Sequence, residues 1–287
     1  MDKALSGWIN GFIGMLIFAG SLPATRAAVI DFDPIFLTST RASIAALLGL
    51  TLLLALRQRF PKAGELPSLA LVAIGVVVGF PLLTALALQQ VSSAHSIVFL
   101  GLLPLCTAIF GALRAGERPR PAFWLFSILG GAFVIGYATW GGIEVSFWGD
   151  MLMLAAVILC GLGYAEGARL TRKLGGWQVI SWALALSLPF MLPVALMTMP
   201  MSFDHAGAPA WCGLAYVSLF SMLIGFVFWY RGLAQGGIAA VSQLQLLQPF
   251  FALGLAALLL NETVNSMMLI VTLGAVACVA GAKNFST

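Results

Sequence analysis

LPLCTAIFGALRAGE (residues 103–117) and QPFFALGLAALLLNE (residues 248–262) are one phrase written twice. Each has a proline second, Pro104 and Pro249, and a glutamate last, Glu117 and Glu262, with mostly apolar residues between. The copies lie 145 positions apart, and the same offset carries Leu88 onto Leu233 and Gly136 onto Gly281. Apolar helices resemble one another easily, but Pro, Glu and Gly recurring at one offset point to a single unit used twice.

Composition names the solvent around that unit. Hydrophobic residues make up 61% of the 287 positions and charged residues 8%, against about 25% charged in a soluble domain. So few charges cannot clothe a water-facing surface. A membrane-spanning helix takes about 20 mostly apolar residues, and ten such blocks fit, at 6–25, 35–56, 67–88, 92–113, 121–140, 148–168, 177–198, 208–232, 238–260 and 264–283. Spanning segments must satisfy their own backbone, and long unbroken apolar blocks exclude a barrel, which leaves helices. The connections are too short for a soluble domain. Lys3 alone precedes the first block and no small-residue cleavage site follows it, so it reads as a retained helix.

Charge sets the orientation. With the N-terminus in the cytoplasm, twelve of the 14 Lys and Arg fall inside, Arg26 falls outside and Arg41 lies within the second helix. This bias is the usual mark of cytoplasmic loops. Five helices per half is an odd number, so the second half enters the membrane from the opposite face. The expected fold is an all-α polytopic membrane protein of ten transmembrane helices in two inverted five-helix repeats, 1–142 and 143–287. Both termini are expected on the cytoplasmic side of the inner (plasma) membrane.

Several chemistries drop out. HExxH, DDxxD and GxSxG motifs are missing and there are two histidines, so neither an enzyme nor a metal site is expected. The four cysteines form no CxxC pair and read as small packing residues. No basic run with interleaved aromatics points to nucleic acid. The expected partners are a small-molecule substrate and the lipid bilayer, with a monomer sufficing and no cofactor required.

The segments LLPLCTAIFGALRAGERP, LLQPFFALGLAALLLNETV and FLTSTRASIAALL, the last containing Arg41, resemble the drug/metabolite transporter superfamily, in its ten-helix EamA-type branch. The resemblance covers essentially the whole chain. It implies a secondary transporter working by alternating access around a central cavity. One branch of that family exports amino acids, including aromatic ones, and this chain is similar to it in length and layout. Export of neutral and aromatic amino acids is therefore the implied function. Export of another metabolite, such as a nucleoside or sugar-like compound, and a non-transporting membrane protein are the alternatives.

Polar groups inside a membrane are costly and are functional candidates by default. The ninth helix holds Ser242, Gln243, Gln245 and Gln248. At 100° per residue, Ser242, Gln245 and Gln248 share a sector of about 120°. That stripe either hydrogen-bonds a substrate or forms a seam between helices. The matching fourth helix offers only apolar FLGLLP around Pro104. One polar wall facing a greasy one suits an amphipathic small molecule. Tyr164, Phe80, Trp229 and Phe99 are candidate aromatic contacts, alongside ordinary packing, and Thr84 and Ser21 complete the substrate-binding set. GFP at 79–81 and GF at 225–226 mark deformable helix segments in the two halves. Pro104 and Pro249 read as hinge positions, and Glu117 and Glu262 as carboxylates capping helix starts. His95 reads as a capping or loop residue, with proton coupling the alternative. Glu166 reads as the i,i+3 ion-pair partner of Arg169. No carboxylate stands clearly at mid-membrane, so exchange and facilitated efflux both remain open.

Overall fold

A computed structural model describes residues 2–91, 96, 99–139, 146–260 and 266–286. All regular structure among the described residues is helical. The ten apolar segments are α1 (Lys3–Ala28), α2 (Pro34–Ala55), α3 (Ala63–Ala87), α4 (Leu103–Ala115), α5 (Pro121–Thr139), α6 (Phe147–Leu174), α7 (Gly176–Met197), α8 (Ala208–Gly236), α9 (238–260) and α10 (Ser266–Asn284). Six of them, α1, α2, α3, α6, α7 and α8, are long and apolar enough by themselves to cross a bilayer. His95 and Glu262 lie outside the described residues.

The repeat is visible in the elements. α4 and the stretch Gln248–Leu260 of α9 are both 13 residues long and start 145 positions apart. α5 and α10 are both 19 residues long at the same offset. α3 and α8 each widen into a π-helical stretch at equivalent places, Ala73–Gly79 and Val217–Ile224. In each, the next residue bonds five back, Phe80 N–H to the Gly75 carbonyl and Gly225 N–H to the Phe220 carbonyl.

Proline explains where two helices break. α9 is not the continuous helix expected for 238–260: Gln243–Leu247 is 3₁₀. Pro249 has no N–H to offer the carbonyl four residues back, and the Gln248 N–H takes that Gln245 carbonyl instead. In α1 the helix stops at Ala19, turns at Gly20 and restarts over Ser21–Ala28, where Pro23 can make no bond back to residue 19.

The halves are packed through each other. α1 lies along α8, and its inverted equivalent α6 lies along α3. α2 pairs with α7, α5 with α10, and α4 with both α6 and α9. The α1–α8 crossing is close because glycines face glycines. A methyl added at Gly232 would sit 2.5 Å from the Gly11 nitrogen and 2.7 Å from its Cα, and one at Gly7 would collide with the Gly236 backbone. Small residues let membrane helices approach in this way. Gly232→Ala is therefore expected to cost about 1–3 kcal/mol by overpacking. A thermal unfolding midpoint in detergent equal to that of the parent protein would show that the two helices separate freely here.

One end of the molecule carries both chain termini. There Lys283 Nζ lies 5.0 Å from the Trp8 ring, and the Arg120 N–H donates to the Phe285 carbonyl at 3.1 Å. The opposite end is acidic in its connections, with Asp31 accepting from the Gly207 N–H at 2.9 Å and Asp33 capping α2.

Candidate functional site

Where α1 breaks, two of its carbonyls turn to other helices. Tyr216 of α8 donates its hydroxyl to the Ile17 carbonyl at 2.7 Å, and Gln248 of α9 donates its amide to the Phe18 carbonyl at 3.3 Å. Beside this break lies a cavity of about 60 Å³. Both halves build it: α1, α2, α3 and α4 from the first, α6, α8 and α9 from the second. The π stretches of α3 and α8 border it, through Val76 and Ser221. π turns are often found at functional sites.

One wall is aromatic. The Phe18 ring stands parallel to that of Tyr164 at 6.3 Å and meets that of Phe226 edge-on at 5.1 Å. Tyr164 meets Phe226 at 5.9 Å, and Phe80 and Pro81 of α3 lie on the same cavity. The other wall is polar. Ser21 donates to the Ser221 hydroxyl oxygen at 2.8 Å, and Arg41 Nη2 donates to the same oxygen at 3.1 Å. Thr25, Thr84 and Gln248 complete this side. Arg41 is only 7% exposed, its Nε has no hydrogen-bond partner, and neither has the Thr84 hydroxyl.

Of the residues singled out from sequence, Ser21, Phe80, Thr84, Tyr164 and Gln248 line the cavity. The others sit behind its wall. The 3₁₀ geometry of Gln243–Leu247 eclipses residues three apart, so Ser242, Gln245 and Gln248 form one row, yet only Gln248 reaches the open space. Ser242 donates to the Ala239 carbonyl at 2.9 Å and reaches the Pro104 carbonyl of α4 at 3.4 Å. Gln245 is buried, and neither amide atom has a partner. Trp229 is fully buried, backing Tyr164 at 5.5 Å and Phe18 at 6.0 Å. Phe99 packs against the same core. Arg41 was legible as an intramembrane charge, but nothing in its own helix says that it faces Ser221, 180 positions later.

At the end carrying the termini, hydrogen bonds join the two halves. Glu117 does cap a helix, but it is α9 of the other half rather than the α5 that follows it. Its carboxylate accepts from the Ile238 and Ala239 N–H groups, both at 2.8 Å, and from Arg172 at 3.2 Å. The positive φ of Gly237, 91°, turns the chain so that these amides point outward. Glu166 is buried and pairs with Arg169, as its i,i+3 spacing implies, and also with Arg114 of α4 at 3.1 Å. Arg169 in turn donates to Ser68 of α3 at 3.0 Å. Among the described residues no cluster of His, Cys, Asp and Glu is suited to a metal.

The sequence profile of the EamA-like transporter family matches residues 5–139 and again residues 147–282. The chain is 63% identical over its full length to all of a Bacillus subtilis protein named uncharacterized transporter YdeK. It is 25% identical, over 89% of its length and 86% of the relative, to a probable terminal-alkyne amino-acid exporter of Streptantibioticus cattleyicolor. A crystal structure 20% identical in sequence superposes with a TM-score of 0.79, covering 98% of this chain and 97% of the other, which shows a shared fold.

Proposed function

The chain belongs to the EamA-like transporter family, and from that premise we propose that it is a secondary transporter exporting small amphipathic metabolites, neutral and aromatic amino acids foremost, by alternating access. The observation that carries this reading is the cavity between the two halves, lined by an aromatic wall and a polar one. The bias of Lys and Arg towards the end with the termini supports placing that end in the cytoplasm. The amino-acid exporter among the relatives supports the substrate class.

The packing suggests which parts move. α3 and α4 both pack on α6, and their inverted equivalents α8 and α9 both pack on α1, and we take each trio as one unit. Each unit takes helices from both halves, and the cavity lies between them. Rocking about it would open one end while closing the other. The bond from Glu117 to the start of α9 ties the two units together at the end with the termini.

Efflux from proteoliposomes tests the reading. Vesicles holding the purified protein are preloaded separately with radiolabelled phenylalanine, threonine, methionine and a nucleoside, against protein-free controls. Saturable release of the amino acids is expected, without release of the nucleoside. Release at the control rate for all three amino acids would sink the proposal. Tyr164→Ala removes the ring parallel to Phe18 and is expected to lower the preference for phenylalanine over threonine about tenfold, the scale of one apolar contact in a pocket. An unchanged ratio would take Tyr164 out of substrate contact.

A further inference from the structure

We propose that Arg41, together with Ser221, which Ser21 orients, anchors the carboxylate of the transported molecule, so that substrates are monocarboxylates with an apolar body. The inference rests on the transporter reading for its word "transported", but not for the binding site itself.

A guanidinium within the bilayer is expensive unless it is paired. Arg41 has five N–H donors to place, and the bond to Ser221 uses one of them. No described carboxylate forms an ion pair with it. Its Nε is buried without a partner, and the side chain lines the cavity. The arrangement is therefore a charge held at an open space with no described counter-charge beside it. Ser21 donates to Ser221, so the Ser221 oxygen accepts two hydrogen bonds and its own proton is left to point onward. Arg41 and Ser221 thus present N–H and O–H donors and a positive charge, which repels a cation.

The planar fork of arginine fits carboxylate and phosphate alike. The surroundings decide between them. Among the described residues Arg41 is the only charged side chain lining the cavity, and one positive charge balances a monocarboxylate but leaves a phosphate dianion half-neutralised. Phe18, Phe80, Tyr164 and Phe226 supply the surface for the apolar body. No described carboxylate lines the space to hold an ammonium, so among the described residues the amino group of an amino acid would meet dipoles such as the Gln248 carbonyl and the Thr84 hydroxyl. The carboxylate, rather than the amine, is the feature that is recognised.

The test is binding to the purified full-length protein in nanodiscs, read by thermal stabilisation, with 3-phenylpropionate, phenylalanine, phenethylamine and chloride as probes at fixed ionic strength. The two carboxylates are expected to stabilise the protein and phenethylamine is not. Arg41→Gln should weaken binding of 3-phenylpropionate about thirtyfold, within the range of a charge-assisted hydrogen bond. Ser221→Ala, which removes one hydroxyl and keeps the charge, should weaken it about threefold and serves as the measure if Arg41→Gln does not fold. Equal stabilisation by phenethylamine, equal stabilisation by chloride, no stabilisation by either carboxylate, or carboxylate binding indifferent to the substitution that folds would each overturn the proposal. Arg41-dependent binding without efflux of any carboxylate would remove the transport reading and leave the anchor standing. Efflux of phenethylamine at the rate of the carboxylates would do the reverse.

Discussion

Replacing Glu117 by alanine is expected to shift the protein about a hundredfold towards a state open at the end that carries the termini. The Glu117 carboxylate receives two backbone N–H bonds at 2.8 Å from the first turn of α9. A helix cap is worth about 1–2 kcal/mol, and an ionised acceptor roughly doubles the strength of each bond. The Arg172 contact adds little, because Arg172 is 44% exposed. A loss of about 3 kcal/mol confined to the seam between the two units converts to roughly a hundredfold in population. Ala108 and Ala239 are buried together in that seam. A cysteine placed at Ala108, in a background without the four native cysteines, should react slowly with a maleimide in the parent and much faster after Glu117→Ala. Glu117→Gln keeps an acceptor oxygen and should fall between. Equal labelling rates in all three proteins would mean that apolar packing alone closes this end.

Glu166→Ala should do something different: lower stability by about 2–3 kcal/mol without changing the labelling rate at Ala108. Glu166 is fully buried and receives Arg114 and Arg169. Removing one partner of a buried ion pair costs about 3–5 kcal/mol. The arginines are 42% and 41% exposed and can turn to water, so a loss at or just below the bottom of that range is expected. All four residues of this network, Arg114, Glu166, Arg169 and Ser68, lie on α3, α4 and α6, inside one unit rather than between the two. The midpoint of thermal unfolding should therefore drop by several degrees while access at Ala108 stays as it was. A rise in labelling like that of Glu117→Ala would place Glu166 in the latch and break the assignment of the two units.

The fold was largely legible before any coordinates. The doubled phrase, the ten apolar blocks and the run of cations are one-dimensional signals of a bilayer and of a repeat, because a helix in lipid satisfies its backbone within itself and needs only length and apolarity to be recognised. Local chemistry was legible too. Glu166 announced its pairing with Arg169, whereas Pro249 read only as a hinge position in a helix expected to be continuous.

The site was not legible to the same degree. The Ser242–Gln245–Gln248 row could be drawn from spacing, but which of the three meets open space depends on a 3₁₀ stretch and on the neighbour that covers the rest. Glu117 reads as a cap in the sequence, and only the tertiary structure shows that it caps a helix 121 positions away. Ser21 and Arg41 stand out in the sequence for separate reasons and Ser221 does not, and the three become a cluster only when α1, α2 and α8 meet. The sequence by itself thus determined that this chain is a membrane protein made of one five-helix unit used twice, since hydrophobicity, proline and charge act through near neighbours in the chain. The tertiary structure alone decided which polar groups face the cavity, because that depends on the rotation of each helix about its axis, and the rotation is set by glycine contacts and side-chain packing between helices far apart in sequence.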